Sequence, residues 1–97
     1  MPEVQFEIEG TLTLDEIDGA VDNVEAGGGE FLRSAVTPVN NTPTNVAVFN
    51  RLPPGQRPKE FTLTRQGEPA PAGTRKIWEG VMLVAGAMTA VVAYREN

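Results

Sequence analysis

The sequence contains no cysteine and no histidine. The absence of cysteine excludes disulfides, thiol nucleophiles and thiolate metal ligands. The absence of histidine removes the usual proton shuttle near neutral pH and the commonest ligand of transition metals. Most routes to hydrolytic or redox catalysis are therefore closed. We expect a protein that is not an enzyme and that uses no metal and no cofactor.

Long apolar runs are also missing. The longest stretch almost free of polar side chains is Gly80–Tyr94, fifteen residues that include Thr89, whereas a membrane-spanning helix needs about 20. The first ten residues have neither a basic start nor an apolar run, and both are features of a signal peptide. We therefore expect no membrane span, no signal peptide and synthesis in the cytoplasm.

Basic residues are absent from positions 1–32, although this part carries nine of the 13 acidic residues. All eight Lys and Arg residues follow it, and the net charge is −5. A chain this acidic is not expected to bind nucleic acid. The acidic and basic parts are instead expected to pair with each other, within the fold or between subunits.

Short strands dominate the pattern that is present. Apolar and polar residues alternate in Val4–Leu14 and again in Phe61–Arg65, which is typical of strands with one buried face. Further strands are expected at 31–39, 46–49, 74–84 and 88–95. Ten glycines and eight prolines separate these segments. Residues 1–97 are therefore predicted to form a single all-β domain, a small antiparallel β-sandwich or barrel of about six to seven strands.

An acidic segment, residues 15–25, breaks the alternation. Ile17, Val21 and Val24 follow helical spacing, but Gly19 interrupts it, so a short helical turn or an irregular loop is predicted. Four of its residues form a candidate contact surface for a basic neighbour: Asp15, Glu16, Asp18 and Asp22. Calcium is an alternative ligand for these oxygens, but their spacing is not that of an EF-hand, and a solvated acidic surface is favoured.

The apolar C-terminal stretch predicts two strands joined at Ala85-Gly86-Ala87, with one helix as the competing interpretation. Its small side chains allow another subunit to approach closely, whereas large ones would be overpacked. The candidate subunit interface consists of Ala85, Gly86, Ala87, Ala90 and Ala93.

A rigid structural turn is predicted between the third and fourth strands, because proline fixes φ and glycine tolerates a turn. It consists of Leu52, Pro53, Pro54, Gly55, Arg57 and Pro58. The stretch Leu52–Pro58 resembles the "LP-x-G-Y-R-P" connection of β-sandwich domains in phage tail fibres, baseplate tips and capsid fibres. Val4–Leu12 is similar to an early strand of those domains, and Arg75–Val81 to a late one. Gln56, where an aromatic residue is usual, and the acidic insert 15–30 depart from the pattern.

The resemblance implies a non-catalytic virion component that assembles as a homotrimer. We therefore expect a structural protein of a bacteriophage particle, located in the virion and in contact with capsid or tail subunits. It would be a capsid decoration or cement protein, or a fibre-type domain, acting in attachment and particle reinforcement. The alternative is a small monomeric β module that binds a peptide or a small ligand, which a concave pocket without a symmetric interface would favour.

Overall fold

The computed structural model describes residues 2–97. Its elements are β1 (Glu3–Ile8), α1 (Leu14–Ala26), β2 (Gly29–Val39), β3 (Thr42–Arg51), β4 (Phe61–Arg65), β5 (Thr74–Val84) and β6 (Ala87–Glu96). The strands form two three-stranded antiparallel sheets, ordered β1-β3-β2 and β4-β6-β5. The prediction of a small antiparallel all-β fold with about six to seven strands is thereby confirmed.

The segment after β1 is a complete helix, so the predicted short turn or irregular loop is wrong. The Thr13 hydroxyl accepts a hydrogen bond from the Glu16 N–H at 3.3 Å, and the Glu16 carboxylate accepts one from the Thr13 N–H at 3.0 Å. This capping box satisfies two N–H groups at the helix start. Gly19 costs about 1 kcal/mol relative to alanine. Full burial of Ile17 and Val21 outweighs that cost, at roughly 1.5–3 kcal/mol for each side chain.

Both tight hairpins turn through two residues with positive φ. The β2–β3 turn has Asn40 at 52° and Asn41 at 65°, and the β5–β6 turn has Ala85 at 50° and Gly86 at 81°. Two consecutive left-handed residues define a type I′ turn, whose twist matches that of the strands it joins. Asparagine and glycine adopt this backbone readily, whereas Ala85 does so at a cost.

A cluster of aromatic rings joins the two sheets. The ring centroid of Phe31 on β2 lies 5.7 Å from that of Phe49, 5.1 Å from that of Phe61 and 5.6 Å from that of Trp78. Phe49 belongs to the same sheet as Phe31, whereas Phe61 and Trp78 belong to the other sheet. Ring pairs at these distances add about 0.5–1.5 kcal/mol each beyond area burial.

Asn45, a fully buried polar residue on β3, also connects the sheets. Its Nδ2 donates to the Leu83 carbonyl at 2.9 Å, and its Oδ1 accepts from the Leu83 N–H at 2.8 Å. Leu83 lies on β5, an outer strand of the second sheet. The amide of Asn45 therefore replaces the hydrogen bonds that a neighbouring strand would make to Leu83.

The connection between β4 and β5, residues 66–73, has to cross β6, because these two strands flank β6 on opposite sides. Val92 and Tyr94 pair with Thr64 and Thr62 on the face of β6 turned away from the core. They are nonetheless only 6% and 9% exposed. This burial indicates that the connection lies over that part of the sheet.

Candidate functional site

The predicted structural turn lies directly after β3. The Leu52 N–H donates to the Gly28 carbonyl at 2.7 Å, and the Gln56 N–H donates to the Pro53 carbonyl at 3.1 Å. Gly55 has a φ of +83°, so the four residues from Pro53 to Gln56 form a type II turn, which requires glycine at its third position. Leu52 and Pro58 are half-buried, and the residues between them are exposed. The prolines and the glycine thus have the structural role that the sequence indicates.

The β5–β6 turn is tied to the chain's own β1–α1 loop. The Ala85 N–H donates to the Leu12 carbonyl at 2.7 Å, and the Gly86 N–H donates to the Gly10 carbonyl at 2.8 Å. A Cβ at Gly10 would lie 2.8 Å from Leu83 Cδ1, which is too close for a side chain to fit there without movement. The tip of the hairpin is therefore held in place within one subunit.

Four of the five residues of the candidate subunit interface are exposed: Ala85, Gly86, Ala87 and Ala90. Ala93 is fully buried in the core, where it pairs with Leu63 and Trp78. Its assignment to a subunit interface is therefore wrong. Side chains alternate between the two faces of a strand, and Ala90 and Ala93 differ by an odd number of positions.

Of these four exposed residues, Ala90 belongs to an apolar patch on the face of the hairpin turned away from the core. Val81 pairs with Ala90, and Leu83 pairs with Met88, and paired residues share one face of a sheet. Val81 is 44% exposed and Met88 is 64% exposed. We call Val81, Met88 and Ala90 the hairpin patch. The predicted interface did not include Val81 and Met88, because the sequence signal for close approach is small side chains and these two are large.

The acidic residues of α1 have different surroundings. Asp15, Glu16 and Asp22 are exposed, whereas Asp18 is half-buried. Glu16 is held in the capping box, where hydrogen bonds from Thr13 lower its pKa. The four carboxylates therefore do not form one uniform surface, and Asp15 and Asp22 are the pair that is free to meet a neighbour. No group of acidic side chains suited to a metal ion occurs within residues 2–97.

Asp18 points toward the open edge of β4. Its Oδ2 accepts a hydrogen bond from the Leu63 N–H at 3.2 Å. Burial raises the pKa of Asp18 to about 6, although the Leu63 hydrogen bond opposes this rise. The nearby carboxylates of Asp22, Asp15 and Glu60 raise it further. Partial desolvation also raises the pKa of Asp22, which is exposed but lies close to other groups, and the carboxylates of Glu25 and Glu60 add to this rise.

A buried ion pair connects the end of α1 with β6. Arg95 donates to the Glu25 carboxylate through both Nη atoms, at 2.7 Å and 2.8 Å, and both side chains are less than 10% exposed. Glu25 also accepts from the Phe31 N–H at 2.8 Å, while Arg95 donates to the Lys59 carbonyl at 2.7 Å. The guanidinium lies 5.8 Å from the Phe61 ring centroid. Breaking such a pair by removing one partner typically costs about 3–5 kcal/mol.

This ion pair confirms the expectation that the acidic and basic parts of the chain meet within the fold. Glu3 and Arg33 form a second pair at 3.1 Å, with both side chains about half exposed. Exposed pairs of this kind are worth about 0–1 kcal/mol. The buried pair is therefore the one that matters for stability.

A cleft of about 490 Å³ lies beside the β5–β6 turn. Glu7, Glu9 and the hydroxyls of Thr11, Thr42 and Thr44 contribute its polar groups. Both carboxylates are exposed. Ligand sites for small molecules are usually enclosed and mainly apolar, with a few convergent polar groups. This cleft is open to solvent rather than enclosed, and its carboxylates lie at the surface.

These features define a small, mostly β protein in which two antiparallel sheets and one helix enclose a single aromatic core. Within residues 2–97, no helix has the length and apolar character needed to cross a membrane. No protein-family model, curated protein or solved structure matches the chain. The likeness of Leu52–Pro58 to phage fibre domains therefore stays a prediction based on that stretch.

Proposed function

We propose that this chain is a non-catalytic structural protein of a bacteriophage particle, a capsid decoration or fibre-type domain that assembles as a homotrimer. In this proposal the hairpin patch forms the subunit contact. The exposed acidic residues of α1 contact a basic neighbour among the capsid or tail subunits. The function is attachment and reinforcement of the particle.

The observation that carries the proposal is the exposure of Val81 and Met88 next to Ala90. Large exposed apolar side chains that cluster on one face are typical of protein interaction sites. The small side chain of Ala90 permits a close approach of a second backbone. A chain of this size also buries a modest fraction of its surface alone, so contacts between subunits are a natural source of further stability.

The first test is the absolute mass of the purified protein, measured by light scattering on a sizing column. The expected mass is three times 10.4 kDa. Met88→Lys should give a monomer, because it places a charge in the contact, while its thermal unfolding as a monomer should remain cooperative. Thr37→Lys is the matched control, since it adds the same charge at an exposed position on the other sheet, and it should remain trimeric.

The second test is immunodetection of the protein in gradient-purified particles of the phage that encodes it. The protein should be present in a fixed ratio to the main capsid or tail subunit. A monomeric wild-type protein that is absent from particles would overturn the proposal. That outcome would favour the alternative of a small monomeric binding module.

A further inference from the structure

Among the outer strands within residues 2–97, β1 is the one whose free edge receives no hydrogen bond from a side chain. The Arg51 N–H donates to the Pro2 carbonyl at 3.1 Å, one step beyond the pairing of Glu3 with Asn50. Bonded pairs recur at every second residue of an antiparallel ladder, so Val4, Phe6 and Ile8 bond with β3. The N–H and C=O groups of the other three residues point away from the sheet: Glu3, Gln5 and Glu7.

Each of the other three outer strands has a side chain that satisfies part of its edge. Asp18 accepts from the N–H of Leu63 on β4, and Glu25 accepts from the N–H of Phe31 on β2. Asn45 bonds both backbone groups of Leu83 on β5. Within residues 2–97, no comparable hydrogen bond reaches the outward groups of β1. Such an edge is a template for another strand.

The side chains along this edge define the chemistry of an incoming strand. Glu3, Gln5 and Glu7 are all exposed on one face, where Glu3 has an exposed ion-pair partner in Arg33 of β2 at 3.1 Å and Glu7 has none within residues 2–97. On the other face the Phe6 ring is 44% exposed and lies edge-on to Phe49, with centroids 5.6 Å apart. Beside Phe6 is a depression of about 110 Å³, which Val4, Val24, the glycines at 27–29 and the exposed Arg51 also line. One face of the edge therefore carries two carboxylates, of which Glu7 has no ion-pair partner within residues 2–97, and the other face offers a mainly apolar recess with Arg51 at its border.

A second copy of the chain fits this edge poorly. Antiparallel pairing of two β1 strands about Gln5 would place Glu3 of each copy opposite Glu7 of the other. Like charges directly opposite each other destabilise a sheet. A partner strand with basic residues opposite Glu3 and Glu7 would instead be stabilised by pairs of opposite charge. The charge of the edge therefore selects a basic partner rather than a copy of this chain.

We propose that the edge of β1 binds an extended, basic segment of a partner polypeptide as an added strand. Alternate residues of the segment are Lys or Arg and lie opposite Glu3 and Glu7. A small apolar residue between them enters the recess beside Phe6. Backbone hydrogen bonds to Glu3, Gln5 and Glu7 hold the segment, and the charge pattern provides the selectivity. This inference does not depend on the hairpin patch or on trimer formation.

The probe is an acetylated and amidated (Lys-Val)4 peptide, titrated into the isotope-labelled protein. The amide signals of Glu3, Gln5 and Glu7 should shift and become protected from hydrogen exchange. The affinity should fall as salt rises. Two peptide controls should fail to bind: the (Glu-Val)4 peptide, and a (Lys-Val)4 peptide that is N-methylated at every second backbone amide. The second of these keeps the charge and loses the hydrogen bonds.

Gln5→Pro tests the edge from the protein side, because it removes an outward N–H and leaves the bonds to β3 in place. It should weaken the (Lys-Val)4 peptide at least ten-fold, whereas the matched Gln5→Thr should bind as the wild type does. Equal binding of the N-methylated peptide, or shifts centred on Asp15 and Asp22, would overturn the proposal. A wild-type oligomer that Gln5→Pro dissociates would also overturn it, since a second copy would then be the occupant.

Discussion

Two acidic residues of α1, the half-buried Asp18 and the buried Glu25, differ in the groups that surround their carboxylates. The carboxylate of Glu25 meets both prongs of the Arg95 guanidinium and the Phe31 N–H. The carboxylate of Asp18 meets one N–H group and lies among other carboxylates. Desolvation of a carboxylate is offset only where opposite charge or hydrogen bonds replace the lost water. Asp18 is therefore the less favourable site for a negative charge.

This difference predicts a pH dependence. The folded protein raises the pKa of Asp18 from 3.8 to about 6, so between these values the folded state binds more protons than the unfolded state. The free energy of unfolding should therefore fall as the pH rises from about 4 to about 6. Partial exposure of Asp18 to solvent weakens the effect. Asp18→Asn keeps an acceptor for Leu63 and should flatten the profile across this window.

The measurement is urea unfolding at a series of pH values, with the exposed residue Asp15 supplying the control Asp15→Asn. The control should keep most of the wild-type slope. At neutral pH, Asp18→Asn should be more stable than the wild-type protein. A variant profile parallel to that of the wild type would show that Asp18 titrates normally.

Sequence patterns predicted the acidic residues of α1 but not their separate roles. The spacing of Asp15, Glu16, Asp18 and Asp22 says that carboxylates are close together. It does not say which one turns toward the edge of β4, because that depends on how the helix packs. The pairing of Glu25 with Arg95 joins residues 70 positions apart, and no local pattern indicates it. The capping box of Thr13 and Glu16 was the one local signal that would have predicted the helix start.

At the scale of elements, the alternation of apolar and polar residues was sufficient to predict the strands, but the sequence pattern was not sufficient to predict the helix. Phe61–Arg65 and both strands of the C-terminal hairpin agree with their sequence patterns, since alternation and turn residues are local properties. The length and regularity of α1 were not predicted, because Gly19 lowers the helix propensity of the segment. Burial of Ile17 and Val21 overrides this low propensity, and burial is a tertiary effect. The apolar pattern from Val4 to Leu14 also continued beyond the actual end of β1 at Ile8.

The β5–β6 turn offers a stabilising substitution. Ala85 adopts a φ of 50°, which costs a non-glycine residue roughly 1–2 kcal/mol. Ala85→Gly should relieve part of this strain and raise the free energy of unfolding by roughly 0.5–1 kcal/mol, after the greater entropy of glycine in the unfolded chain is counted.

The matched control is Ala87→Gly, the same change two residues later in extended backbone, which should lower stability by a similar amount. Chemical denaturation of both variants measures whether each substitution raises or lowers the free energy of unfolding. A loss of stability in Ala85→Gly would contradict the type I′ geometry of the turn.

At the scale of the whole molecule, stability depends on a few contacts that join the two sheets and the helix. The ring cluster around Phe31, the Glu25–Arg95 pair and the Asn45 amide each connect elements that are distant in sequence. Asn45 makes its contact with a single side chain, which satisfies both backbone groups of Leu83. Its replacement by an apolar residue leaves a buried N–H and a buried C=O without partners.

Asn45→Val should therefore lower the free energy of unfolding by roughly 2–6 kcal/mol, since it leaves two buried groups of Leu83 unsatisfied and each costs about 1–3 kcal/mol. Asn50→Val on the same strand is the control, because the Asn50 side chain is half-buried and lies on the opposite face of β3. Urea unfolding followed by tryptophan fluorescence reports the difference. Equal losses in the two variants would mean that Asn45 does not couple the sheets.

The strand order has a consequence for how the chain folds during synthesis. In each sheet the central strand, β3 or β6, follows both of its neighbours in sequence. β4 and β5 therefore leave the ribosome with no strand to pair with, and they remain unpaired until β6 emerges between them. The β5–β6 pairing is a local hairpin, whereas the β4–β6 pairing joins Phe61 to Arg95 and, being non-local, forms more slowly. A nascent chain that ends before residue 87 therefore cannot form the second sheet. Its Glu25 carboxylate also lacks its ion-pair partner, because Arg95 has not yet been synthesised.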